Sequence, residues 1–175
     1  MKECKSLGIE DKLVLRTKPD TKIYYVNDDF VKFTGFEADS VLLKELHEVI
    51  PDTMPELFKE ILLAHLKDDE PSYYVIKGKT NKGYCYWGLM RVTTFQSKLN
   101  NEFRYLVEIK MLPTNAVLEG EKVFDTVEKV YENAGAEFAK KYFEGFLEEK
   151  NQTFEEFILS ILGVNKKKLE KYFKI

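Results

Sequence analysis

Three β-prone stretches, 73–79, 84–95 and 103–111, run almost back to back, and this spacing constrains the fold more than any other feature of the chain. Asn81-Lys82-Gly83 joins the first two as a hairpin turn, in which Gly83 suits a positive φ. Residues 97–102 link the second stretch to the third. Links this short make the neighbours antiparallel, because a parallel pair needs a crossover of about a dozen residues or more. A second hairpin stands upstream, where Leu13-Val14-Leu15 leads through the turn-like Lys18-Pro19-Asp20-Thr21 into Ile23-Tyr24-Tyr25-Val26.

Between the two β regions the pattern turns helical. Asn27 is placed to cap a short helix whose first turn carries Asp28 and Asp29, favourable at the positive end of its dipole, and Gly35 stops it. Residues 36–49 are broken and predict one or two brief helical turns, of the kind that wall a pocket. Thr53 and Glu56 have capping-box spacing with Pro55 in the first turn, and Leu57, Phe58, Ile61, Leu62, His65 and Leu66 then recur at helical spacing. The order of two strands, several short helices and three strands predicts an α+β fold. It is an antiparallel sheet with helices on one face and room between them for a small ligand.

Pro113 ends the last strand and the composition changes. Three helical stripes follow: Val117 to Tyr131, Phe138 to Leu147, and Phe154 to Leu162 behind a second capping box, Thr153 and Glu156. Leu169, Tyr172 and Phe173 predict a last short helix. These stripes are too short for a coiled coil, and their aromatic side chains must be buried in a bundle or at a partner interface.

The chain has 175 residues, 44% of them hydrophobic and 33% charged, which suits a folded domain plus an appendage. The expected division is a leader at 1–10, a sensor domain at 11–112 and a helical region at 113–175. The 27 basic and 30 acidic residues are interspersed, so no basic face for nucleic acid is expected. The one basic run, Lys166-Lys167-Lys168, reads as a solvated helix face. No signal peptide and no membrane-spanning run are seen. Two cysteines, Cys4 in a polar leader and Cys85 in a strand, support neither a disulfide framework nor a metal site, and a reducing cytoplasm is expected.

Ile23-Tyr24-Tyr25-Val26-Asn27-Asp28-Asp29-Phe30 with Phe33-Thr34-Gly35-Phe36 resembles the PAS signature of strand, Asn-Asp, aromatic and Gly-aromatic pair. His47, Pro51-Asp52-Thr53-Met54-Pro55, Lys82-Gly83 and Tyr86-Trp87 resemble, in order and spacing, the sensor domains of bacterial aerotaxis and energy-taxis receptors. The resemblance implies a five-stranded PAS sheet, FAD as cofactor, and coupling to a membrane chemoreceptor that lacks its own sensor. The chain departs from the flavin-binding pattern at Ile50-Pro51-Asp52-Thr53, where an Arg and a His are missing and one residue fewer stands. It departs again at Leu63, in place of a Trp, and at Gly78, in place of an Asn. The cofactor contacts it implies are Asn27, His47, Asp52, Leu63, Tyr86 and Trp87.

Each of these residues has a second reading. Asn27 serves equally as an N-cap, and that role is favoured. His47, beside Leu46 and Val49, reads as a hydrogen-bonded packing residue, as a flavin contact, or as an axial ligand of haem iron. His65 reads as helix packing ahead of haem ligation. Tyr86 and Trp87 alternate along a strand, so one faces the helices and the other faces solvent or the tail. Cys85 does not suit flavin-adduct photochemistry, which places its Cys on a helix beside the cleft. No phosphate loop, metal spacing or nucleophile motif appears, so a non-enzymatic protein is expected. The expectation is a redox or small-ligand sensor of α+β PAS type whose tail docks on a chemoreceptor or other signalling protein. A homodimer is expected from an exposed sheet face and the apolar tail. A haem gas sensor and a ligand-free PAS scaffold are the rivals.

Overall fold

The computed structural model describes residues 4, 7, 8, 10–50, 60, 64 and 71–174. Its elements run β1 (Leu13–Thr17), β2 (Ile23–Val26), α1 (Asp28–Thr34), α2 (Ala38–Val41) and α3 (Leu46–Val49). They continue with β3 (Ser72–Lys79), β4 (Cys85–Gln96), β5 (Phe103–Met111), α4 (Thr114–Ala134), α5 (Ala136–Glu149), α6 (Phe154–Leu162) and α7 (Lys166–Lys174). The helix opened by Thr53 and Glu56 lies outside the described residues.

The five strands form one antiparallel sheet in the order β2-β1-β5-β4-β3. The two sequence hairpins are its two flanks. β5 returns to pair with β1 along its full length, Leu13 opposite Ile109 and Thr17 opposite Tyr105. The β3–β4 turn closes as its composition predicts, with Gly83 at φ 77° and the Gly83 N–H donating to Thr80 O over 2.9 Å. At the other edge, β2 is covered by the chain between α2 and α3. Leu43 takes a φ of 69°, and its N–H then reaches Ile23 O at 2.8 Å, while Ile23 N–H donates to Lys44 O at 2.9 Å. An edge strand dressed in this way offers fewer groups to a foreign strand.

Period-two alternation gives the sheet two distinct faces. The register places Leu13, Leu15, Tyr74, Ile76, Tyr86, Met90, Val107 and Ile109 on one of them, all buried. Phe33 of α1 meets Tyr86 edge-on with ring centroids 5.2 Å apart, which identifies this as the side that faces α1. The opposite face carries Tyr73, Val75, Trp87 and Leu89, and these are buried too. The exposed sheet face from which a homodimer was expected is therefore not exposed at these residues.

The chain divides into two compact units, and the sheet with α1–α3 belongs to the first. The second contains Pro113 and α4–α7. Within it α4 packs on α5 and α6, and Phe143, Phe146 and Phe157 meet ring to ring at 5.5–6.2 Å between centroids. Gly135, at φ 87°, breaks the first helical stripe from the second. Thr153 and Glu156 close the predicted capping box reciprocally: Thr153 N–H donates to the Glu156 carboxylate at 2.7 Å, and Glu156 N–H donates to Thr153 Oγ1 at 3.2 Å. Lys166 is not merely solvated, since its ammonium lies 3.2 Å from Glu155.

One expectation is overturned. Cys4 and Cys85 are joined in a disulfide, their Cα atoms 4.4 Å apart and 81 residues apart in sequence. Two thiols so distant along the chain gave no spacing to read; the pairing depends on where the fold sends the segment before β1.

Candidate functional site

The candidate site is the sheet face that meets α1, built from β1, β3, β4 and β5. Its surface is apolar except for a few groups. Thr17 is fully buried there, and its hydroxyl has no hydrogen-bond partner among the described residues. Tyr86 is buried as well, and burial pushes its phenol far above the ordinary tyrosine range, so it stays neutral at any physiological pH.

Gly78 and Tyr86 are direct cross-strand partners. The Tyr86 ring lies over Gly78 so closely that a Cβ at position 78 would overlap it. Sequence comparison singled out Gly78 as the loss of an Asn donor. The structure gives the physical reason for the glycine: the space of a side chain at 78 is occupied by the ring of Tyr86, which Phe33 meets edge-on. The signal was readable as a Gly in a strand, which marks a close approach, but its partner was not.

Asn27 spends its side chain on the fold. Its Oδ1 accepts from Phe30 N–H at 3.1 Å, capping α1, and from Val14 N–H at 2.9 Å, while its amide donates to Lys12 O at 2.8 Å. One side chain thus ties the start of α1 to β1. The helix ends with equal definition: Gly35 adopts φ 73°, and Asn81 in the β3–β4 turn donates its amide to Gly35 O while its N–H donates to Thr34 O at 2.9 Å. His47, half-buried on α3, has Nδ1 3.2 Å from the Glu45 carboxylate.

Trp87 is on the other side of the sheet. It pairs across the ladder with Lys77, whose ammonium sits 5.3 Å from its ring centroid. Of the four described candidates, Tyr86 stands on the sheet face toward α1, Asn27 caps α1, and Trp87 stands on the opposite sheet face; Asp52 and Leu63 lie outside the described residues. Tyr86 and Trp87 therefore do not share a face of the sheet. Among the described residues no group of three or more His, Cys, Asp or Glu side chains is gathered for a metal ion.

Two further features escaped sequence reasoning. Glu108 is buried on the Trp87 face and bridges Lys12 at 2.6 Å and Arg91, whose Nε donates at 2.7 Å. Arg91 and Glu108 are register partners, so β4 and β5 supply the pair and the residue before β1 supplies the third charge. In the helical unit a cavity of about 610 Å³ is lined by Val123, Phe146, Phe157 and Ile161, with Lys122 and Lys150 beside them. Its size is that of a small-molecule pocket.

No family model matches the chain, and no curated protein sequence matches it either. Solved structures do. A light-oxygen-voltage domain from a study with a flavin analogue superposes with a TM-score of 0.53 at 18% identity, over 63% of this chain and 87% of that one. The PAS domain of an HTR-like protein from Haloarcula marismortui gives 0.50 at 17% identity, over 59% and 83%. An RNA-binding light-oxygen-voltage receptor gives 0.51 at 13% identity; it matches 58% of this chain, and the chain spans 30% of that receptor. Identities this low speak for the fold alone.

Proposed function

The sheet and its short helices form a PAS fold, and from that premise we propose that this chain is a non-enzymatic signalling sensor. It detects redox state or a small ligand through the PAS unit and passes the signal to a chemoreceptor or related signalling protein through its helical tail. The observation that carries this reading is the combination of a PAS fold with a separate helical unit following directly after its last strand. A fold built to set helices against one sheet face is suited to converting occupancy or charge into a small displacement. Such a displacement moves an equilibrium only if the two states bind the stimulus differently. No helix among the described residues is long and apolar enough to cross a membrane, so a membrane signal would be borrowed from the partner. A cytoplasmic location belongs with this proposal.

FAD is the cofactor implied by the resemblance, and the likeness of the fold to light-oxygen-voltage domains is compatible with a flavin. The second reading, a PAS unit that pairs with partners without a cofactor, is favoured by one observation: the Tyr86 ring, met edge-on by Phe33, fills the space above Gly78.

Visible absorption of the purified chain separates these readings. Flavin bands support FAD, a Soret band supports haem, and no absorbance supports the cofactor-free unit. The sensory proposal itself is tested by adding the chain to a reconstituted array of chemoreceptor and histidine kinase under oxidising and reducing conditions. Kinase activity that follows the condition only when the chain is present is expected. Activity indifferent to the chain would overturn the proposal.

A further inference from the structure

The segment before β1 is fastened to the sheet by Cys4–Cys85, and the surroundings of that bond suit exchange rather than burial. Cys4 is exposed, so an incoming thiolate reaches its sulfur, while Cys85 is half-buried. Lys79 is the ladder partner of Cys85 and Lys77 the partner of Trp87, which puts two lysines on the strand beside Cys85, on the same face. A cation beside a sulfur favours the thiolate and makes it the better leaving group. Attack on Cys4 therefore expels Cys85.

We propose that Cys4 and Cys85 are a redox-active pair, a thiol–disulfide site that dithiols reduce and disulfides oxidise, and whose state sets whether the segment before β1 is tied to β4. In reduction, one thiolate of the dithiol attacks Cys4 Sγ. The Cys4–Cys85 bond breaks, a mixed disulfide forms at Cys4, and Cys85 leaves as thiolate and takes up a proton. The second thiol of the reductant then displaces Cys4 as thiolate. Two electrons and two protons reach the protein, and the reductant leaves as its own disulfide; oxidation by a disulfide runs the same steps backward.

The position makes the bond's state felt at the sheet. Cys85 opens β4, adjoins Tyr86, and lies two residues from Trp87 on the same face. Leu7, three residues after Cys4, is buried. Cutting the tie frees the segment carrying Leu7, and the start of β4 loses a fixed neighbour. The inference deepens the sensory reading above and rests on it only for onward transmission; the chemistry of the pair stands without it.

Trp87 is the single tryptophan of the chain, so its fluorescence reports this strand alone. The full chain is equilibrated in buffers of reduced and oxidised dithiothreitol, its thiols are trapped with maleimide and counted by mass spectrometry, and Trp87 emission is read in parallel. Two thiols are expected to appear together in one two-electron step, with Trp87 emission shifting to the red and acrylamide quenching rising in the same step. Cys4→Ser is expected to hold the reduced-state emission in every buffer. Three results would overturn the proposal: free thiols in all buffers, a disulfide that yields only after denaturation, or thiols that titrate while Trp87 is unchanged. The wild-type titration decides the matter without the variant. None of these readouts involves a receptor, so failure here is distinct from failure of the kinase assay.

Discussion

At the scale of single residues, the chain devotes its most distinctive positions to joints. Asn27 satisfies a helix donor, a strand donor and a strand acceptor at once. Asn27→Ala leaves Val14 N–H part-buried without that acceptor, and a loss of about 2 kcal/mol or more is expected in urea unfolding. Gly78 and Tyr86 form a matched pair. Gly78→Ala crowds the ring and should cost about 1–3 kcal/mol, while Tyr86→Ala opens a cavity costing about 3–5 kcal/mol. The two together should cost less than the sum, because removing the ring removes the clash, and a double-mutant cycle measures the difference. Glu108→Ala removes the buried carboxylate that Arg91 and Lys12 share on the Trp87 face, and a loss of about 1–3 kcal/mol is expected in urea unfolding. Asn27 and Gly83 were legible because capping and turn chemistry are local. The Gly78–Tyr86 pair was not, because strand register decides which aromatic a glycine meets.

At the scale of elements, local signals located the strands and helices closely, and long-range bonds set what holds them. The capping box of α6 is a local device visible in the sequence. Its hydrogen bond from Thr153 N–H holds the Glu156 carboxyl below the usual glutamate range. The folded state therefore resists protonation more than the unfolded one. The stabilisation is full above the ordinary value of 4.5 and is lost as pH falls through the lowered one. The stability gap between wild type and Glu156→Ala should be constant near neutrality and shrink in acid, as followed by chemical unfolding at a series of pH values. The Cys4–Cys85 bond closes a span of 81 residues, and holding so long a loop restricts the unfolded chain. Reduction should lower the unfolding free energy by about 2–4 kcal/mol while leaving the far-ultraviolet circular dichroism of the native state in place.

At the scale of the whole molecule, a PAS unit and a helical unit share one chain. On α5, Phe138 and Tyr142 are exposed at 61% and 45% and sit four residues apart, on one stripe of the helix. Together they give α5 an exposed apolar stripe. If the proposed signalling role holds, Phe138→Lys with Tyr142→Lys should weaken binding to a chemoreceptor partner in a direct binding measurement, while changing stability by no more than about 0.5 kcal/mol. The number of strands and their succession along the chain, the helical tail and its capping box all followed from the sequence by itself, because hydrophobic period, turn chemistry and caps act over a few residues. The β2-β1-β5-β4-β3 order, the side of the sheet on which Tyr86 and Trp87 stand, and the union of Cys4 with Cys85 were decided only in three dimensions. Each depends on strand register and on the return of β5 to β1, contacts between residues tens of positions apart that leave no local trace.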